Sequence, residues 1–154
     1  MPLTPRLPVA VSRHTILLAT DLDGTFLAGQ AAKRKQLYRM VSTHPDISLA
    51  WVTGRALEAV LPLLSDPALP TPDFLICDVG ATVVCVANMQ PVQPLQSSIE
   101  ALWPGESAVV QMMARFTALV RQDVPQQRRC SYYCDPALLA TMRAEIEIEA
   151  ALIG

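Results

Sequence analysis

The run Ile16-Leu17-Leu18-Ala19-Thr20 passes directly into Asp21-Leu22-Asp23-Gly24-Thr25, so an apolar stretch closes on two carboxylates one residue apart and a Gly-Thr turn. Buried strands of parallel sheets read as continuous apolar runs of this kind. In open α/β sheets, ligands and chemistry sit just beyond the carboxyl ends of such strands. Acids delivered to that place are costly unless a cation or a reaction uses them. Asp and Gly favour turns by themselves, and an isolated Asp-x-Asp reads as a turn. The complete Asp-x-Asp-Gly-Thr after an apolar strand is sharper, and it constrains the chain to an α/β fold with a strand-end site.

The chemistry such a site supports follows from the residue types. A carboxylate can act as a covalent nucleophile on phosphorus, and Asp21 stands first beyond the strand. Asp23, two residues on, is placed to serve as general acid and then as base. An anion attacking an anionic phosphate needs positive charge nearby, and hard carboxylate oxygens suit Mg²⁺. Gly24 permits the tight turn, whose amides can cradle phosphate oxygens. Thr25 adds a hydroxyl donor.

A second strand, Ser48-Leu49-Ala50-Trp51-Val52, ends in Thr53-Gly54-Arg55. Alone this is a common strand-to-helix turn, in which Arg55 either contacts substrate or starts the helix. A third, Asp73-Phe74-Leu75-Ile76-Cys77-Asp78, turns at Val79-Gly80-Ala81 into a hairpin partner near 82–87. Asp78 reads as a turn residue at a strand end, where a substrate role is also open. Periodicity predicts strands near 14–21, 47–52 and 73–78, and helices near 29–43, from 55, over 106–121 and from 136, with a further strand near 129–134. Pro62 is expected to kink or end the second helix. This alternation favours a parallel sheet with right-handed crossovers.

The first motif resembles the first signature of the haloacid dehalogenase superfamily, in its phosphatase branch. The resemblance implies a Rossmann-like core, an α+β cap, and a Mg²⁺-dependent aspartyl-phosphate mechanism. It makes Asp21 the nucleophile, Asp23 the acid/base, and the Asp21 side chain and Asp23 backbone carbonyl the Mg²⁺ ligands. Thr53 matches the second signature, whose hydroxyl binds the transferring phosphoryl group, and Gly24, Thr25, Gly54 and Arg55 complete the phosphate- and substrate-binding set. Val79-Gly80-Ala81 is similar to an element of the sucrose-phosphate phosphatase group. Arg129-Cys130-Ser131-Tyr132-Tyr133 resembles that group's opening cap strand, with Arg129-Cys130 departing from its usual Lys. Tyr132 and Tyr133 there either meet a sugar or pack the cap.

With Pro2, Pro5 and Pro8, residues 1–13 read as an irregular leader, and the resemblance implies 14–125 as a partial core and 126–154 as the start of an incomplete cap. The superfamily's later Lys and Gly-Asp acidic loop have no counterpart here. The lysines are Lys33 and Lys35, both on the expected first helix. Half of the electrostatic machinery of phosphoryl transfer is therefore expected to be missing. A truncated phosphatase is the expectation, whether a fragment or the product of a decayed or split gene, with weak or no turnover by the 154 residues alone.

Composition narrows the alternatives. At 51% hydrophobic and 17% charged, the chain can bury one substantial core. A net charge of −2 argues against nucleic-acid binding. No run approaches the ~18 apolar residues of a membrane span, and no signal peptide is recognisable, so a cytoplasmic location is expected. Cys77, Cys85, Cys130 and Cys134 lack zinc spacing and read as free thiols. The leading expectation is a Mg²⁺-dependent hydrolase of a sugar phosphate, sucrose 6-phosphate being the model substrate. A non-catalytic remnant that binds a sugar phosphate or a partner such as a sucrose-phosphate synthase is the alternative, and the apolar edges of a core without its last strands invite self-association. A phosphoaccepting receiver-like domain is a third, which Gly24-Thr25 and Thr53-Gly54-Arg55 disfavour.

Overall fold

In the computed structural model, which describes residues 16–124 and 127–153, the first apolar run forms strand β1 (Ile16–Asp21). The expected leader and the first two residues of the strand expected from 14 lie outside the described residues. Helix α1 (Ala31–Thr43) crosses back and delivers β2 (Ile47–Val52), which pairs parallel to β1 with Ile16 opposite Ile47 and Asp21 opposite Val52. After α2 (Leu57–Val60), β3 (Phe74–Cys77) pairs parallel to β2, with Val52 opposite Ile76. The chain then turns through residues 78–80 into β4 (Thr82–Cys85) and β5 (Gln90–Pro91), both antiparallel. The sheet order is β1-β2-β3-β4-β5, three parallel strands extended by a hairpin.

The remaining elements are α3 (Leu95–Ala101), α4 (Glu106–Met113), the two-stranded pair β6 (Val120–Arg121) and β7 (Tyr132–Tyr133), and α5 (Pro136–Ile153). The α/β class expected from the alternation is the class observed. No helix among the described residues is long and apolar enough to cross a membrane.

The core draws on β2, β3, the turn after β1, α1 and α2, while β1, expected as a buried strand, is largely exposed at the sheet edge. Leu49, Trp51 and Leu75 from the sheet meet Leu22, Phe26, Tyr38, Val41 and Val60. Phe26 lies between two aromatic neighbours, its ring centroid 4.7 Å from Tyr38 and 6.4 Å from Trp51. The Tyr38 hydroxyl donates to the Phe26 carbonyl at 2.6 Å, so the one polar atom of that ring is satisfied where it is buried. Cys77 is buried and free, its thiol pushed up to about 11 chiefly by burial, which fits a small apolar filler rather than a reactive group.

Two local expectations change, the ending of the second helix at Pro62 is met, and α3 is a helix the periodicity did not predict. The helix expected over 106–121 stops at Met113, although its apolar face persists as far as Phe116, which is buried. Val120 instead sits opposite Tyr133 in a β pair, so cross-strand pairing outweighs helical spacing there. The strand expected near 129–134 contracts to Tyr132–Tyr133. The helix expected from 55 ends at Val60 and tightens into a 3₁₀ turn over Leu61–Ser65, because Pro62 has no N–H with which to continue it. Helix α3 carried no apolar signal because its buried anchor is polar: Gln96 accepts from the Val83 N–H at 2.8 Å and donates to the Ala81 carbonyl at 3.2 Å.

Candidate active site at the carboxyl ends of β1 and β2

Alternation sets the direction of the two acids. Leu22 is fully buried and anchors the turn from below, so Asp21 and Asp23 on either side of it both face outward and are exposed. The turn closes when the Leu27 N–H donates to the Leu22 carbonyl at 2.9 Å. Within it Asp23 is extended and Gly24 adopts φ +72°, a left-handed conformation that favours glycine. Thr25 is exposed beside it, and Phe26 returns to the core.

Register brings the second motif alongside. Asp21 is level with Val52, so Thr53 stands one residue past the strand end that borders Asp21. The Thr53 N–H donates to the Ile76 carbonyl at 2.8 Å, which prolongs the sheet bonding to this position. Its side-chain oxygen accepts from the Arg55 N–H at 3.2 Å. Thr53 is buried, and beyond accepting from that amide its hydroxyl keeps one proton to donate. Gly54 is exposed and Arg55 half-buried.

Arg55 reaches across to the first motif. Its Nε donates to Asp23 Oδ2 at 2.8 Å and a terminal nitrogen to Oδ1 at 2.5 Å, a bidentate pair between the two motifs. Between the alternatives left open for this residue, the structure places Arg55 on the acid rather than only at the start of a helix. The Arg55 hydrogen bonds, followed by its charge, hold the Asp23 carboxyl below the usual carboxylate range. Asp23 is 56% exposed, so solvent screens the pair and its contribution to stability is small. The sign is fixed nonetheless: with its pKa depressed in the fold, the contribution is present above the ordinary carboxylate range and lost as pH falls through the folded value. Arg55→Met is expected to return the Asp23 carboxyl upward to an ordinary value, read by NMR titration of its side-chain carbon. An Asp23 titration unchanged by that substitution would mean the pair does not form in solution.

The Asp21 carboxylate and the Asp23 carbonyl are hard oxygen donors, and Mg²⁺ takes one or two carboxylates and fills its other positions with water and substrate phosphate. The donor types fit such an ion. Among the described residues no group of three His, Cys, Asp or Glu side chains gathers around a common point, so water and phosphate oxygens would have to complete the shell. Lys33 and Lys35 are exposed on α1. Asp78, open between a turn role and a substrate role, is completely buried.

The α/β sheet thus brings two carboxylates and a hydroxyl to the ends of adjacent parallel strands. The profile of the sucrose-6F-phosphate phosphohydrolase family matches residues 14–152, and the chain belongs to that family. A glucosylglycerol-phosphate synthase of Pseudomonas anguilliseptica is 62% identical over 121 residues, which are 79% of this chain and 16% of that protein. A HAD-like hydrolase of Nitrosococcus oceani is 33% identical over 137 residues, covering 82% of this chain and 37% of the hydrolase. The chain thus spans well under half the length of these relatives. The sucrose-phosphatase of Synechocystis sp., solved with sucrose and phosphate, superposes with a TM-score of 0.70 at 23% identity over 89% of this chain and 56% of its own. A haloacid dehalogenase-like hydrolase of Bacillus subtilis gives 0.55 at 14% identity, over 88% of this chain and 56% of its own. Both structural likenesses concern the fold.

Proposed function

We propose that this chain carries the nucleophile half of a Mg²⁺-dependent phosphatase acting on a phosphorylated glycoside. The observation that carries the reading is the placement of Asp21 and Thr53 at neighbouring parallel strand ends, with the Thr53 oxygen engaged and its proton left to donate. In the reaction an Asp21 oxygen bonds to phosphorus as the bond from phosphorus to the sugar oxygen breaks. Asp23 delivers a proton to that leaving oxygen. Water then attacks the aspartyl-phosphate, Asp23 takes the water's proton, and inorganic phosphate leaves with the Asp21 carboxylate restored. Thr53 donates to a phosphoryl oxygen, and the Gly24 and Gly54 turns let backbone approach it. Mg²⁺, held by the Asp21 carboxylate and the Asp23 carbonyl, would supply the charge that lets one anion approach another. Arg55 has to leave Asp23 for the acid to carry a proton, and the incoming phosphoryl dianion is the ligand that draws it away.

The substrate class is supported by two relatives. The Synechocystis sucrose-phosphatase was solved with sucrose and phosphate, and the Pseudomonas protein, named for making glucosylglycerol phosphate, contains a stretch 62% identical to most of this chain. A phosphatase of this kind would consume the product of such a synthase. Residues 14–125 are assigned to the core and 126–154 to the opening of a cap over the sugar, in a cytoplasmic protein. Phosphate release from glucosylglycerol phosphate and from sucrose 6-phosphate, with and without Mg²⁺ and beside Asp21→Asn, tests the reading. Release that needs both Mg²⁺ and Asp21 is the expected signature, whatever its rate. Release that survives Asp21→Asn would overturn it.

A binding-only reading is favoured by one observation, the absence of a third acidic ligand near Asp21 and Asp23 among the described residues. It is distinguished by sugar-phosphate binding without release. Self-association belongs to the same proposal. Strand β1 lies at the edge of the described sheet, with Leu17 65% exposed, and open apolar edges pair with other strands. Leu17→Lys is expected to shift the chain toward monomer in sedimentation runs at rising concentration. An unchanged distribution would remove β1 as the contact.

A further inference from the structure

Three consecutive residues beyond β3 hold left-handed backbone: Asp78 (φ +53°), Val79 (φ +54°) and Gly80 (φ +99°). A β-branched residue in that region is a genuine outlier, held only where its surroundings over-determine it. Val79 is also 72% exposed, so no burial of its own side chain explains the conformation. The constraint comes from both sides of the loop.

On the side of the site, the Asp78 N–H donates to the Arg55 carbonyl at 2.9 Å and the Val79 N–H to the Thr53 carbonyl at 3.3 Å. A methyl placed on Gly54 would meet Val79 at 3.6 Å. The loop therefore lies directly against Thr53-Gly54-Arg55. On the far side, the Asp78 carboxylate is fully buried. It accepts from the Thr82 hydroxyl at 2.9 Å and faces the Arg129 guanidinium at 3.2 Å. The neighbouring Arg128 donates to the Ala81 carbonyl at 2.9 Å and to the Thr82 oxygen at 2.8 Å, and pairs with Glu100 at 3.5 Å. Both arginines belong to the segment that leads into β7. A buried carboxylate without its cation is strongly disfavoured, so this pairing fixes where the segment can sit.

We propose that Asp78 and Arg129 are positioning residues whose buried ion pair locks loop 78–80 against Thr53-Gly54-Arg55, so that the segment entering β7 controls the phosphoryl-binding turn. The function of that turn rests on the phosphatase reading above; the mechanical coupling does not. Displacing Arg129 frees the Asp78 carboxylate, the loop relaxes from its left-handed conformation, and the two amides that brace Thr53 and Arg55 lose their acceptors. A movement of the β7 segment is transmitted to the site by the same route.

Amide hydrogen exchange on the full 154-residue chain tests the coupling without any ligand. In Arg129→Gln, exchange at Asp78 and Val79 is expected to quicken about tenfold or more while the β1–β2 ladder keeps its protection. Arg129→Lys, which keeps the charge, is expected to restore it. Titration with inorganic phosphate, followed at the Thr53 and Gly54 amides, should weaken in Arg129→Gln by about threefold or more and recover in Arg129→Lys. If Arg129→Gln does not fold, Asp78→Asn reads the same amides. Unchanged exchange at Asp78 and Val79, acceleration spread evenly over the sheet, or a lysine variant that behaves like glutamine would each overturn the coupling. A wild-type chain that binds no phosphate at Thr53 and Gly54 would instead overturn the phosphatase reading, with the exchange arm still judging the coupling.

Discussion

Asp21→Asn is expected to lower phosphate release on the order of a thousandfold or more, because the amide cannot supply the oxygen that bonds to phosphorus. The same substitution is expected to tighten binding of a phosphate monoester when Mg²⁺ is left out. Asp21 is exposed at the strand end beside Thr53, where its charge opposes a dianion. Two unit charges 4 Å apart repel by about 1 kcal/mol in water and about 4 kcal/mol at an effective dielectric of 20, so relief on the order of tenfold in affinity follows. With Mg²⁺ present the gain should shrink or reverse, since the asparagine is a poorer ligand for the ion. Rate measurements and calorimetric titrations on one sample separate the effects. A variant that lost release and metal-free binding together would point to a collapsed turn rather than a missing nucleophile.

Trp51→Ala is expected to cost about 3–5 kcal/mol, the range for deleting a large buried aromatic side chain. Trp51 is fully buried on β2, one residue before the level of Asp21, and its ring lies against Phe26 of the first motif's turn. The loss should therefore appear both as a lower midpoint in urea and as broadened amide signals over 22–27. Trp51→Phe should cost far less. The indole N–H has no hydrogen-bond partner among the described residues, and removing an unsatisfied buried donor offsets part of the packing lost. An alanine variant within about 1 kcal/mol of the parent would show that the sheet does not pack as described.

The strands were legible as apolar runs: β2 and β3 are buried as such runs predict, whereas β1 lies largely exposed at the edge of the described sheet. Helix α1 lies where a helix is expected, but its buried residues are Tyr38 and Val41, with Leu37 and Met40 exposed. Helix α3 stayed hidden because Gln96 satisfies backbone groups of β4 from within the core, and polar burial has no period to read. β5 and β6 are two residues long each and exist through pairing, which no local pattern specifies, while β7 is the two-residue part of the strand expected near 129–134 that finds a partner.

The site divides in the same way. Asp21, Asp23 and Thr53 were legible because strand ends concentrate chemistry, and their acidic or hydroxyl character is unusual after apolar runs. The Arg55–Asp23 pair spans 32 residues of sequence and depends on the parallel register of β1 and β2. The buried Asp78–Arg129 pair was less legible still. A left-handed aspartate looks like an ordinary turn residue, and an arginine before a short strand looks like a solvated one, until the fold brings them together.

The most direct test of the central claim is a map of backbone amide shifts as Mg²⁺ and a sugar phosphate are titrated into the chain, repeated on Thr53→Val. Shifts concentrated at 21–25 and 53–55, and sharply weakened in the valine variant, are the predicted result. Shifts that fall elsewhere, or that ignore the loss of the Thr53 hydroxyl, would contradict a phosphoryl site at the ends of β1 and β2.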